Sequence, residues 1–290
     1  MLFYYAMGGG LGHLTRARAV VHTLGIRDDV VVLTASPFAA DARVTAGLHI
    51  ERVPAAIAAG DAGYRAWLAS RFDRWRPDGV VVDAFPGGLF GELCGSRLLA
   101  DRPAWHVARR LQWDRYRRQL AGRVPRFVTT WTIKPLEAEH TAVLEEYSGE
   151  LVALALQDPP AAAPLRMPAI PEPYWVIAHS GPRDEVAELV SYAADTRAVE
   201  RSSATLVVVS HVRLDARPAA CVELDLYPAT ALFARAERVV TAAGFNAVRQ
   251  AAPWRDKHLT LPFPRRFDDQ FGRARLARRS STSASLPDQA

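Results

Sequence analysis

Gly8-Gly9-Gly10-Leu11-Gly12-His13 stands between an apolar run, Leu2 to Met7, and a helix-patterned segment, Leu14 to Leu24. The order reads as strand, glycine turn and helix, with a histidine at the helix start. Four glycines permit φ > 0 and let a ligand approach the main chain, while the first-turn N–H groups and the helix dipole face the same opening. The stretch predicts a parallel α/β unit in which Gly9, Gly10 and Gly12 shape a loop for an anion or a sugar. A titratable imidazole then lies at the C-terminal edge of the first strand, where open α/β sheets bind ligands. The same letters also fit a glycine-rich turn whose histidine only caps a helix.

Two better-known glycine loops fit poorly. A dinucleotide fingerprint places glycine where His13 stands and an acid at the end of the next strand, but Val30 to Leu33 runs into Thr34-Ala35-Ser36. The ATPase phosphate loop ends in Gly-Lys-Ser/Thr, and the only lysines are Lys134 and Lys257.

From residue 1 to 156 short β-branched runs alternate with helical periods, the pattern of a parallel sheet covered by helices. Strands are predicted over Leu2–Ala6, Val30–Leu33, His49–Val53, Gly79–Val82, Ala104–Ala108, Phe127–Trp131 and Leu151–Leu154, with helices over Leu14–Leu24, Tyr64–Trp75, Leu89–Leu99, Asp114–Leu120 and Glu137–Tyr147. Residues 157–173 are rich in proline, which removes N–H donors and stiffens the chain, and read as a linker. The alternation restarts over 174–279. Strands are predicted at Tyr174–Ala178, Thr205–Val209, Ala220–Leu224, Arg238–Thr241 and His258–Leu261, and helices at Arg183–Ala194, Ala229–Ala236, Ala247–Ala252 and Asp269–Ala277. Two Rossmann-like domains with a cleft between the C-terminal edges of their sheets are expected, followed by a serine-rich disordered tail, 280–290.

The chain's 290 residues suit two such domains, and 49% hydrophobic content suffices for their cores. Its net charge of +5 is modest and its arginines are dispersed, so the basic balance does not indicate nucleic-acid binding. Cys94 and Cys221 form no CxxC pair and no His/Cys cluster at ligand spacing, which predicts neither disulfide nor metal and suits a reducing cytosol. No apolar run approaches the roughly 18 residues of a membrane span. The sequence opens on a strand pattern rather than a signal core, so a cytoplasmic protein without a leader is expected.

A second informative stretch runs from Thr241 to Gln250, with Gly244-Phe245-Asn246 at a strand-to-helix turn, followed by Leu261-Pro262-Phe263-Pro264 and Phe267-Asp268-Asp269-Gln270. Backbone N–H groups near Gly244 can hold a phosphate, and Gln250, Asp269 and Gln270 can meet hydroxyls. Asp and Asn are equally common helix caps, so a purely structural role for these polar residues remains open.

Together the two glycine turns resemble those of the GT-B glycosyltransferases, in particular the branch containing the peptidoglycan N-acetylglucosaminyl transferase and the UDP-sugar transferases. The likeness spans the plan of nearly the whole chain, and Val80-Val81-Val82-Asp83-Ala84-Phe85 is similar to the strand end whose aspartate pairs with the family's catalytic histidine. The resemblance implies an acceptor-binding first domain with His13 as general base and Asp83 orienting it. It implies a nucleotide-sugar donor, UDP-linked, on the second domain, held by Ser180, Gly181, Arg183, Gly244, Phe245, Asn246, Gln250, Asp269 and Gln270, with no metal and no cofactor beyond the co-substrate. Family members commonly carry glutamate on the ribose where Gln250 stands. A nucleotide-sugar epimerase on the same fold, or a non-catalytic nucleotide-sugar-binding protein, are the alternatives. The arginines of Arg109 to Arg118, interleaved with Trp113 and Tyr116, would either touch an anionic membrane surface or form a solvated face with the aromatics turned inward.

Overall fold

The computed structural model describes residues 1–27, 29–57, 62–120, 122–160, 168–216 and 218–283. The chain divides into two units, Met1–Pro160 with Arg266–Asp268, and Ala161–Arg265 with Asp269–Ala290.

In the first unit β1 (Leu2–Tyr5), β2 (Val30–Thr34), β3 (His49–Arg52), β4 (Gly79–Asp83), β5 (Ala104–Ala108), β6 (Phe127–Thr132) and β7 (Ser148–Ala153) form one sheet in the order β3-β2-β1-β4-β5-β6-β7, parallel throughout. The β-branched runs of β2 and β4 are buried at every position, as strands covered on both faces must be. The helices are α1 (Leu11–Thr23), α2 (Ala42–Thr45), α3 (Ala62–Trp75), α4 (Trp113–Tyr116) and α5 (Ala138–Tyr147). Phe3, Tyr5, Val31, Leu33, Val80 and Val82 alternate onto one face and pack with Tyr64, Trp67, Leu68 and Phe72 of α3. The strand order reverses between β1 and β4, which lie side by side with Tyr5 opposite Val82. Such a reversal opens a crevice at the C-terminal ends of the two strands.

The second unit repeats the plan with β8 (Tyr174–Ala178), β9 (Thr205–Val209), β10 (Cys221–Leu224), β11 (Arg238–Ala242) and β12 (His258–Leu261), parallel in the order β10-β9-β8-β11-β12. Its helices are α6 (Arg183–Val199), α7 (Phe245–Ala251) and α8 (Gln270–Ser283), and its reversal lies between β8 and β11.

Several sequence expectations change. No helix forms over Leu89–Leu99, because Gly88, Gly91 and Gly95 adopt φ of +84°, +79° and +65°, and only a 3₁₀ turn at Arg97–Leu99 remains. Ala229–Ala236 shortens to a 3₁₀ turn, Ala229–Leu232, and Asp114–Leu120 becomes α4 continued by a 3₁₀ turn, Arg117–Gln119. α8 extends to Ser283, into the stretch expected to be tail from residue 280, while 284–290 lie outside the described residues, as do 161–167 of the linker. The 174–279 segment is not one continuous domain. Arg266–Asp268 belongs to the first unit, where Asp268 bridges Leu111 antiparallel and Phe267 packs on Phe85 and Tyr116.

Candidate active site

The glycine turn after β1 delivers α1 to the β1/β4 crevice. Gly10 is the helix N-cap with φ −112° and ψ 169°, and no side chain caps the helix, so His13 is not a cap. None of Gly8, Gly9, Gly10 or Gly12 has positive φ, contrary to the expectation from the sequence. Space explains Gly8 instead: a Cβ there would lie 2.3 Å from both Cδ2 and Nε2 of His13. Gly9 and Gly10 are exposed and Gly12 is half-buried.

His13 sits in the first turn of α1, and Arg16, three residues on, shares its helix face. Both meet Asp83, the last residue of β4. His13 Nδ1 is 2.6 Å from Asp83 Oδ2, and Arg16 grips the carboxylate with two bonds, Nε to Oδ1 at 2.6 Å and Nη2 to Oδ2 at 2.5 Å. Tyr4 of β1 donates its hydroxyl to Oδ1 at 3.3 Å. Beyond Asp83 the chain turns abruptly: Phe85 N donates to Asp83 O at 2.8 Å across Ala84, which is buried with φ +65°. A non-glycine residue held there costs on the order of 1–3 kcal/mol, and such strain clusters at functional sites.

Charge in this cluster is largely settled by Arg16. Burial alone would raise the Asp83 carboxyl, but the Arg16 guanidinium and the His13 hydrogen bond overcome it and hold Asp83 well below the usual carboxylate range. For His13 burial dominates and lowers its pKa below the ordinary value; the hydrogen bond and charge of Asp83 oppose this, while Arg16 and Arg109 add to it. The imidazole is therefore neutral near pH 7. With its Nδ1–H donated to Asp83, the lone pair resides on Nε2. The His13 side chain keeps 13% exposure, whereas Asp83 has none. The ring stands 5.9 Å from that of Phe85, over which lies Arg109, a 5%-exposed residue ion-paired with Asp268.

In the second unit Ser180 and Gly181 follow β8, and Gly244, with φ −66°, caps α7 after β11, so the two turns flank that sheet's reversal. A Cβ on Gly244 would meet nothing within 4 Å. Phe245 is buried, with Arg273 over its ring and Arg273 Nη1 donating to Ala243 O at 2.6 Å; Asn246 and Gln250 are half-buried on α7. Arg183 forms an exposed ion pair with Asp215 at 2.6 Å. Asp269 accepts the Gly272 N–H at 2.9 Å in the first turn of α8, and Gln270, 4% exposed, accepts the Phe263 N–H at 3.0 Å, so the first caps the helix and the second ties it to the segment after β12. Sequence reasoning passed over Arg16 and Tyr4 in the first unit. In the second it missed His179, whose Nε2 is 2.8 Å from Glu185, itself gripped by Arg265 at 2.6 and 2.5 Å. Spacing to His13 marks Arg16, and proximity to Gly181 marks His179.

Among the described residues no group of three or more His, Cys, Asp or Glu could hold a metal, and no helix is long and apolar enough to cross a membrane. Along Arg109–Arg118 the aromatics are turned inward, with Trp113 2% and Tyr116 0% exposed, and Arg109 is buried with them while Arg115, Arg117 and Arg118 are exposed. Arg110 and Arg117 pair with Glu137 and Glu139.

No family model and no curated protein matches the chain. Solved structures do. The spinosyn forosaminyltransferase SpnP is similar at 16% identity over 96% of this chain and 83% of that one, with a TM-score of 0.63. The spinosyn rhamnosyltransferase SpnG, complexed with thymidine diphosphate, matches at 17% identity, 95% and 83% coverage and a TM-score of 0.60. The glycosyltransferase SnogD from Streptomyces nogalater matches at 14% identity over 100% of this chain and 90% of that one, with a TM-score of 0.55. The fold is that of the GT-B glycosyltransferases: α/β, with two Rossmann-like parallel sheets.

Proposed function

We propose that this protein is a metal-independent glycosyltransferase that moves a sugar from a nucleoside diphosphate to an acceptor hydroxyl, with His13 as general base. The observation that carries the reading is the His13–Asp83–Arg16 cluster at the β1/β4 reversal: a neutral imidazole, oriented through Nδ1, with Nε2 left to take a proton. The acceptor O–H proton passes to Nε2 as the oxygen bonds the anomeric carbon, and the bond from that carbon to the diphosphate breaks, its electron pair leaving with the phosphate. Asp83 then faces an imidazolium. In this reading the turn N–H groups at Ser180-Gly181 and Gly244-Phe245-Asn246 would receive the diphosphate. The complex of SpnG with thymidine diphosphate supports a thymidine nucleotide beside the uridine one expected from sequence.

A non-catalytic nucleotide-sugar-binding role is the second reading. It is favoured by Gln250, an uncharged residue where members of the family commonly carry glutamate. One experiment separates the two: transfer or hydrolysis of UDP- and dTDP-sugars by the wild type and His13→Ala, with donor binding measured by thermal shift. Loss of turnover by about a hundredfold or more with donor affinity unchanged is expected, because a general base acts in the transition state. Full activity in folded His13→Ala refutes the mechanism; donor binding without turnover in the wild type selects the binding role.

A further inference from the structure

The missing helix between β4 and β5 leaves a space beside α3. With residues 88–99 in turns, a cavity of about 510 Å³ opens between α3 and residues 92–102. That volume falls within the roughly 300–1,000 Å³ of small-molecule sites. Leu68 and Phe72 of α3 and Leu98 give it an apolar lining, and Arg65, Arg97 and Arg102 give it positive charge.

These arginines differ from the buried ones elsewhere in the unit. Arg16 is matched by Asp83 and Arg109 by Asp268. Among the described residues neither Arg65, Arg97 nor Arg102 has an ion-pair partner, and Arg102, with its guanidinium 5.3 Å from the Phe72 ring, keeps a fully buried Nη1 that bonds to nothing. Three guanidiniums without a carboxylate partner beside an apolar lining leave the positive charge of the cavity available to an anion. Two carboxylates also line the cavity without answering that charge. Glu92 already accepts from Leu89 N at 3.2 Å, Phe90 N at 2.7 Å and the hydroxyls of Tyr5 and Tyr64, while Asp73 is exposed on α3.

We propose that this groove binds a small organic anion, its phosphate or carboxylate received by Arg102 with Arg97 and Arg65, and its apolar body lying on Leu68 and Phe72. The site is separate from the His13 cluster, because Tyr5 reaches Glu92 on the α3 face of the sheet while Tyr4 reaches Asp83 on the other. It does not depend on the transferase reading.

Phenyl phosphate and benzoate, titrated separately at constant ionic strength by calorimetry and thermal shift, test the proposal and distinguish the two anionic groups. Saturable binding of at least one is expected, with an affinity at least tenfold weaker in Arg102→Gln and in the double variant Arg65→Gln/Arg97→Gln, and unchanged in His13→Ala. Arg65 and Arg97 are exposed, so the double variant should fold and decides the matter if Arg102→Gln does not. Absence of saturable binding by either anion, or binding that the folded arginine variants leave intact, overturns the proposal.

Discussion

Arg16→Gln should raise the pKa of His13 and shift the acid limb of activity to higher pH. Arg16 is 2% exposed and makes two bonds to an Asp83 that is fully buried, so in the wild type the carboxylate's charge is shared and His13 receives only part of it. Burial then prevails and keeps the His13 pKa below its ordinary 6.5. A neutral glutamine removes a positive charge whose Nη2 lies 3.2 Å from His13 Nδ1; two unit charges about 4 Å apart interact by ~4 kcal/mol at an effective dielectric constant of about 20. The glutamine also leaves Asp83 with His13 and the neutral Tyr4 hydroxyl as its side-chain partners. Relaxation and entering water leave only part of this energy, and the resulting shift of His13 is upward. The neutral imidazole is the active form, so kcat/KM falls as pH drops through its pKa: the wild type should remain active below pH 6.5, and the acid limb of Arg16→Gln should lie at higher pH than that of the wild type.

The profile is read from kcat/KM between pH 5 and 9, and the His13 ring titration by NMR supplies a measurement independent of turnover. Arg16→Lys keeps the charge and should hold the acid limb near that of the wild type. Breaking a buried pair costs about 3–5 kcal/mol, so folding of each variant is verified first. A folded Arg16→Gln whose His13 titrates as in the wild type, or a wild-type His13 titrating above 6.5, would falsify this division of charge.

Three further outcomes are expected. Gly8→Ala should displace the His13 ring, since the new Cβ would fall 2.3 Å from its Nε2, and turnover should drop with donor affinity retained; kinetics like the wild type would show that the ring does not need that space. Gly244→Val should fold normally, because a Cβ there meets nothing within 4 Å, yet lose thermal stabilisation by UDP or dTDP; undiminished stabilisation removes the donor assignment. Burial pushes His106 down to about 4 and His140 to about 3, so both are neutral when folded and titrate near 6.5 when unfolded. The unfolded chain binds more protons in that window. Stability is then full above pH 6.5 and declines as pH falls toward 4, by about 1.4 kcal/mol per unit for each histidine. Urea midpoints that stay flat from pH 7 to 5 would contradict it.

The sheets were legible because buried parallel strands are nearly continuous apolar runs: Tyr174–Ala178 and Thr205–Val209 match the observed strands to the residue, as do Ala104–Ala108 and the half-buried edge strand His258–Leu261. The pairing of His13 with Asp83 was implied by the family resemblance alone; the β3-β2-β1-β4 order explains it, because it makes the two strand ends neighbours. Arg16 was not. Among 36 basic residues a helix arginine carries no mark of its own, and only the β1/β4 adjacency turns its i+3 spacing from His13 into a shared carboxylate. Leu89–Leu99 misled because its leucines keep a helical period while Gly91 and Gly95 take left-handed φ, which periodicity does not register. The return of Arg266–Asp268 to the first unit is three residues long, too short for any periodic signal. Adjacent acids consequently have different fates: Asp268 pairs with Arg109, while Asp269 caps α8.

The period of two in β1 determines how the first unit distributes its buried charge. Tyr4 and Tyr5 are consecutive, fully buried and directed to opposite faces, and each ends on a buried carboxylate, Asp83 for Tyr4 and Glu92 for Tyr5. On the α1 face the acid is neutralised by an arginine, which leaves the neighbouring imidazole uncharged and able to accept a proton. On the α3 face the acid is satisfied by backbone N–H groups and phenols, which carry no formal charge, so the arginines near it remain available. The difference follows from what each crossover supplies: α1 brings His13 and Arg16 in successive turns, whereas the glycine-rich segment after β4 brings main-chain donors where a helix would have spent them on itself. Exchanging Tyr4 or Tyr5 for phenylalanine should therefore have separable effects, the first on the His13 cluster and the second on the groove beside α3.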